Sequence, residues 1–405
     1  MISAANHQQP LSGNNKAMIR LYKILIGFFI LAITINATGQ LSGNTLKVAV
    51  FAPVYLDSVF EGANYKLGNN NLPKLVLPGL DFYNGVMLAV DSLNAEKQSL
   101  EILFFDTKNG DESIEMILEK NELQNVSLII ASFNNRSEIK ALAEFALNKN
   151  IPIISMTFPN DGGINGNPFF ALVNPTLTTH IEAIYKYIHR SFPTENIIIL
   201  KRKGATEDMI ARSFLNMNKK TLGLPLKIKS TELTDNFGTW QIFKQLDSTK
   251  LNIILCASLN ETFGNNLVKA TASIKNYKTI IIGMPTWDGV KDIGKDADII
   301  YTSPYNYSRT DLLGQQITNN YRNKYFGRPT DMVFKGFEAM YHFGKLLLKY
   351  NTNLISHLSD KEFKLFNEYD FQPVKLKPTN TFPDYLENKK LYFIRKVDTQ
   401  IKSIN

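Results

Sequence analysis

The chain has five histidines and a single cysteine in 405 residues, so any zinc site or thiol nucleophile must be built around them. His180 and His189 share one helical segment but stand nine residues apart, which at about 100° per residue puts them on opposite faces. They cannot hold one ion together. His342 and His357 have no acidic or cysteine ligands at zinc spacing. Cys256 lies within Asn252–Ala257, an apolar strand where a small buried side chain is the ordinary occupant. Lone carboxylates such as Asp106 and Asp288 have no visible acid–base partner. The glycine-rich stretch Asp161-Gly162-Gly163-Ile164-Asn165-Gly166 lies between Pro159 and Pro168 and reads as a turn, not a phosphate cradle. Neither a phosphate-binding loop, nor a dinucleotide fingerprint, nor a nucleophile elbow is present. The sequence therefore predicts a protein that is not an enzyme and needs no cofactor or metal.

The polar residues that remain suggestive sit where apolar runs end. Ser132-Phe133-Asn134-Asn135-Arg136-Ser137 follows one run and opens a helix. Asn135 and Ser137 can cap that helix, and its free N–H groups can receive a carboxylate; plain capping explains the same residues. Ser155-Met156-Thr157-Phe158-Pro159 follows another run, with hydroxyls and an aromatic suited to a polar ligand carrying an apolar part. Lys201-Arg202-Lys203-Gly204 sets three cations at a strand end, either to attract an anion or as a solvated rim. Met284-Pro285-Thr286-Trp287-Asp288 offers Trp287 for stacking on a ligand or for plugging a surface between lobes. The candidate binding set is thus Asn135, Ser137, Ser155, Thr157, Arg202 and Trp287.

These positions imply the elements that must carry them. Leu46–Ala52, Ile102–Phe105, Val126–Ala131 and Ile151–Ser155 read as strands, alternating with helices over 81–94, 113–123 and 137–148. In the first helix Phe82, Val86, Val90 and Leu93 fall on one stripe. After a short segment at Phe169–Val173 a second series begins. Its strands are Ile197–Leu200, Leu226–Ser230, Asn252–Ala257 and Thr279–Gly283, and its helices 178–189, 207–222, 239–247 and 261–272. Runs such as Ile197-Ile198-Ile199-Leu200 do not alternate polar with apolar, the mark of parallel strands buried on both faces. The reading is α/β: two doubly wound parallel-sheet lobes. The strand Ile299–Ser303, the helices Asp311–Phe326 and Asp331–Tyr350, and the strand-like Leu391–Ile394 break the rhythm and predict a return to the first lobe. Lobe 1 is assigned to 46–173 and 305–370, lobe 2 to 174–304 and 385–405, joined by a multi-crossing hinge.

The first 39 residues read as a secretory signal peptide. Lys16, Arg20 and Lys23 precede an apolar run from Ile24 to Ile35, then Ala37-Thr38-Gly39, with cleavage expected before Gln40. An uncleaved anchor is the alternative, although the run is shorter than the ~20 residues of a membrane span. Met18 is an alternative start. The formal charge of +8 falls to +5 once these three cations leave, and no basic stripe interleaved with aromatics suggests nucleic acid. With one cysteine there is no intrachain disulfide, so stability must come from the core.

Taken in order, these features resemble the type I periplasmic solute-binding proteins of the branched-chain amino-acid receptor group. The resemblance spans roughly Leu46 to Ile394 and rests on the helix Asp81–Asn94, Leu103-Phe104-Phe105-Asp106, Ile151-Pro152-Ile153-Ile154-Ser155, Tyr301-Thr302-Ser303-Pro304-Tyr305 and the return from Tyr321 to Pro329. It implies a two-lobed cleft in which Ser137, Ser155 and Thr157 hold the polar head group of a small ligand. The further implications are hinge closure, a periplasmic location and delivery to an inner-membrane ABC permease. Three features depart from the family's pattern: Ala131-Ser132 stands in place of its glycine, Arg202 and Lys203 replace an aromatic, and no acidic residue stands clearly where the receptors hold an α-ammonium, Asp288 being the best nearby. The chain is also similar to divergent cell-envelope relatives that interact or sense without a transported ligand.

Overall fold

The computed structural model describes residues 45–110, 112–289, 297–397 and 400–404. The expected signal segment 1–39 and residues 290–296 lie outside the described residues, as does the side chain of Asp288. Leu46–Asn405 forms one compact unit.

Two seven-stranded sheets organise it. The first contains β1 (Leu46–Ala52), β2 (Leu100–Asp106), β3 (Val126–Ala131), β4 (Ile153–Ser155), β5 (Phe170–Leu172), β11 (Phe371–Val374) and β12 (Tyr385–Asn388), in the order β11-β12-β5-β4-β3-β1-β2. The second contains β6 (Asn196–Lys201), β7 (Ile228–Glu232), β8 (Asn252–Cys256), β9 (Thr279–Ile282), β10 (Ile299–Ser303), β13 (Tyr392–Val397) and β14 (Gln400–Ile404), in the order β14-β13-β10-β9-β8-β6-β7. Every pairing among β1 to β5 and β12 is parallel, and so is every pairing among β6 to β10. Within these two sheets antiparallel pairing is confined to the late strands, β11 with β12, β13 with β10 and β14 with β13. The unbroken apolar runs have the expected cause. Alternate residues of β3 enter opposite cores, Leu128 and Ile130 one and Ile129 and Ala131 the other. Strands β6 and β8 do the same in the second lobe.

One core of the first sheet is closed by α1 (Leu77–Ala95), α8 (Leu312–Tyr325) and α9 (Asp331–Tyr350), and the other by α2 (Ile114–Leu118) and α3 (Arg136–Lys149). The second sheet is covered by α4 (Leu177–Ser191) and α5 (Ala205–Lys220) on one face and by α6 (Thr239–Phe243) and α7 (Glu261–Ala272) on the other. Helices α1 and α9 approach until their backbones touch. A Cβ on Gly85 would lie 2.0 Å from the Val333 carbonyl oxygen, and one on Gly336 would lie 2.1 Å from that of Phe82. This reciprocal contact ties the late return of the chain to its first helix.

Several expected elements shift, each for a local reason. Leu226–Ser230 becomes Ile228–Glu232 because the Asn218 side chain takes the Leu226 backbone, accepting its N–H at 2.8 Å and donating to its carbonyl at 3.0 Å. The helix over 113–123 is a single turn, capped by Ser113 and followed by a 3-10 turn at Asn121–Leu123. The helix over 239–247 ends at Phe243, and Asp247 folds back onto Thr249 through its carboxylate. The assignment of 385–405 to the second lobe needs correction: Tyr385–Asn388 pairs with β5 in the first sheet, and the chain leaves that sheet only after Asn388.

Gly336→Ala is expected to lower stability by about 1–3 kcal/mol, the range for forcing a methyl into a filled contact. Urea unfolding at neutral pH measures it, and an unchanged midpoint would mean that α1 and α9 are not in backbone contact.

Candidate functional site

Three segments join the sheets, and all three lie at the carboxyl ends of the parallel strands. Val173–Thr176 runs from β5 to α4, Pro304 follows the end of β10, and Lys389–Leu391 runs from β12 to β13, whose start at Tyr392 pairs with Ser303. Ligands of open α/β sheets bind at this edge, so the loops there and the crossings form one candidate site.

The loops of the first lobe are built around two carboxylates. Asp106, at the end of β2, accepts the backbone N–H groups of Val54, Tyr55, Leu56 and Lys108 at 2.8–3.2 Å. One acid thereby fixes two loops, and Tyr55 is held in the left-handed region with φ 59°. Glu138, buried in α3, forms an ion pair with Lys108 at 2.5 Å and accepts from Thr107 at 3.2 Å and Asn135 at 2.7 Å. Neither role was visible in the sequence, because the partners come from other strands.

The expected site residues divide. Asn135 is the N-cap of α3: its carbonyl oxygen accepts the Glu138 N–H at 3.0 Å and the Ser137 hydroxyl at 2.8 Å. Ser137 is exposed on the first turn beside it. Thr157 lies at the same rim, donating to the Phe133 carbonyl at 3.1 Å and meeting the Ser132 hydroxyl at 3.1 Å. Asn134, which the sequence reading passed over, is exposed there and donates to the Tyr55 hydroxyl at 3.0 Å. Ser155 is different. It shares the face of Ile153, Ala131 and Leu172, is fully buried, and its hydroxyl has no partner among the described residues.

At the facing edge of the second lobe the cations are already engaged. Lys201 pairs with Asp208 at 2.7 Å and Glu232 at 2.5 Å, and Arg202 with Asp235 at 3.0 Å. Lys203 is exposed. Glu207 turns back over Gly204 at the start of α5 and accepts the Ser258 hydroxyl at 2.8 Å. Of the two readings left open for this stretch, the ion pairs of Lys201 and Arg202 favour a rim over an open anion site. Trp287 requires correction as a cleft residue: it is fully buried in the second lobe's core, its ring so close to Gly283 and Gly264 that a Cβ on either would strike it at 2.1 or 2.9 Å.

The crossings are stitched together by buried polar groups at the ends of the elements they join. Glu387, 1% exposed, accepts the Thr176 N–H at 2.7 Å and the hydroxyls of Thr176 and Thr179 at 2.8 and 2.9 Å, and pairs with Lys389. Asn388 donates to the Val173 carbonyl at 3.2 Å. His180 and Thr302 share a hydrogen bond of 2.8 Å beside them.

No family model and no curated protein matches the sequence. Solved structures match over 89% of the chain. They include an ABC transporter substrate-binding protein from Desulfitobacterium hafniense in complex with Leu (14% identity, TM-score 0.56, all of that chain covered). Another is a branched-chain amino acid ABC transporter periplasmic ligand-binding protein from Burkholderia xenovorans (11%, 0.57, 95% covered). A third is the branched-chain amino acid transporter substrate-binding protein LivJ from Streptococcus pneumoniae in complex with isoleucine (16%, 0.50, 99% covered). The chain has the type I periplasmic binding-protein fold. Its two sheets are joined by the three crossings, with the loops tied by Asp106 and Glu138 at the carboxyl edge of the first sheet and the ion-paired Lys201 and Arg202 at that of the second.

Burial holds His180, at the start of α4 beside Thr302, down at about 3, against about 6.5 in an unfolded chain. A base depressed on folding contributes stability that is complete above pH 6.5 and is lost as pH falls toward 3. Unfolding free energy is expected to drop by about 1 kcal/mol between pH 7 and 5.5 from this group, with a flatter profile for His180→Gln. Equal slopes for both proteins would show that His180 is not buried neutral.

Proposed function

We propose that this chain is an exported periplasmic solute-binding protein that closes on a small polar ligand and presents it to an inner-membrane ABC permease, with an amino acid as the first candidate. The observation that carries this reading is the polar rim of Asn134, Ser137, Thr157 and Tyr55. It lies at the carboxyl edge of the first sheet, next to three chain crossings, in a fold whose similar solved structures include proteins with Leu and isoleucine bound. The neighbours are substrate-binding proteins and not enzymes, in keeping with a binding role here. A ligand touching both rims favours the closed state by its extra contacts alone.

A second reading, an envelope interaction or sensory protein without a transported ligand, is favoured by the second-lobe lip. There Lys201 and Arg202 are already paired, and Trp287 is withdrawn from the cleft.

Thermal unfolding of the purified protein against a panel of L-amino acids separates the two. One member of the panel is expected to raise Tm, and Ser137→Ala is expected to shrink that rise while leaving the ligand-free Tm nearly unchanged, because Ser137 is exposed. No shift with any compound would overturn solute binding and leave the interaction reading standing.

A further inference from the structure

The link between site and hinge runs through two consecutive carbonyls. Met156 and Thr157 follow β4, and Thr157 is a rim residue of the proposed site. The Met156 carbonyl accepts the buried hydroxyl of Tyr305, the residue just past the second crossing. The Thr157 carbonyl accepts the Asn174 side-chain amide at 3.0 Å, and Asn174 lies in the first crossing. Two separate crossings therefore grip adjacent peptide groups of one loop.

Each grip is itself fastened. The Tyr305 N–H donates to Ser303 at 3.0 Å, its ring stacks on Tyr307 with centroids 5.7 Å apart, and the Lys335 ammonium lies 4.3 Å above it. The following residue, Asn306, donates its N–H to Asn367 at 2.7 Å, and Asn367 is anchored on the buried carboxylate of Glu338. Asn174 follows Val173, whose carbonyl takes Asn388, the last residue of β12 before the third crossing. Neither segment can swing without either moving the Met156–Thr157 peptide or breaking a hydrogen bond to it.

We propose that the Met156–Thr157 peptide is the relay between ligand site and hinge, with Tyr305 and Asn174 as positioning residues that set the inter-lobe angle through it. The ligand end of the relay rests on the solute-binding reading. The hinge end does not, so the test is made without ligand.

Spin labels at Glu144→Cys on α3 and Lys219→Cys on α5, both exposed, report the inter-lobe distance distribution, since Cys256 is buried. Tyr305→Phe and Asn174→Ala are expected to broaden that distribution. Both should also speed amide hydrogen exchange over Met156–Phe158 by about fivefold or more, the effect of losing one hydrogen bond. Tyr307→Phe is the matched control: its ring lies in the same stack, but its hydroxyl has no partner among the described residues, so it should match the parent on both readouts. If Tyr305→Phe destabilises the fold, Asn174→Ala, altering a half-buried side chain on a different crossing, carries the test alone. Distributions and exchange rates indistinguishable from Tyr307→Phe would overturn the relay, as would broadening with no change over Met156–Phe158. A failed amino-acid panel would leave these outcomes intact.

Discussion

Parallel pairing is the constraint from which the rest of the molecule follows. A parallel strand must be re-entered from its starting end, so each connection crosses a face of the sheet and every parallel strand of a lobe finishes at the same edge. Both faces are then covered by helices, which is why Ile197–Leu200 and Ile253–Cys256 carry no polar alternation. The same geometry delivers the loops after β1 to β4, and those after β6, β8 and β9, to the edges beside the crossings. A chain that visits the first sheet, then the second, then the first helices again and finally both sheets must cross three times. The three crossings are the consequence of that path.

Polar groups do the fastening at this edge because apolar ones would meet water there. Asp106 and Glu138 satisfy N–H groups and hydroxyls that the loops would otherwise leave without partners, and Glu387 does the same for the start of α4. Buried carboxylates carry a desolvation cost and persist where several hydrogen bonds offset it. Their placement fixes the loops while leaving side chains such as Asn134 and Ser137 outward.

The strand and helix series was readable because it rests on local pattern: apolar runs of strand length and 3.6-residue stripes. Asp331–Tyr350 and Glu261–Ala272 have the predicted bounds for that reason. What depended on distant partners was not readable. Phe371–Val374 contains Pro373 and forms an edge strand with no apolar run to announce it. Tyr385–Asn388 has two polar residues, Glu387 and Asn388, that look solvent-facing but are buried because the crossings supply their partners. Among the candidate residues, Thr157 and Ser137 stand at the rim. Trp287 does not: an aromatic after a strand end carries no mark of which way it turns, and two glycines, Gly264 and Gly283, had made room for it inside.

A ligand held at this edge is expected to draw the two sheets together about the crossings. Small-angle X-ray scattering of the purified protein, alone and saturated with the compound that most raises its Tm, tests this most directly. A smaller radius of gyration is expected with ligand bound. Superimposable curves with and without a bound compound would contradict closure.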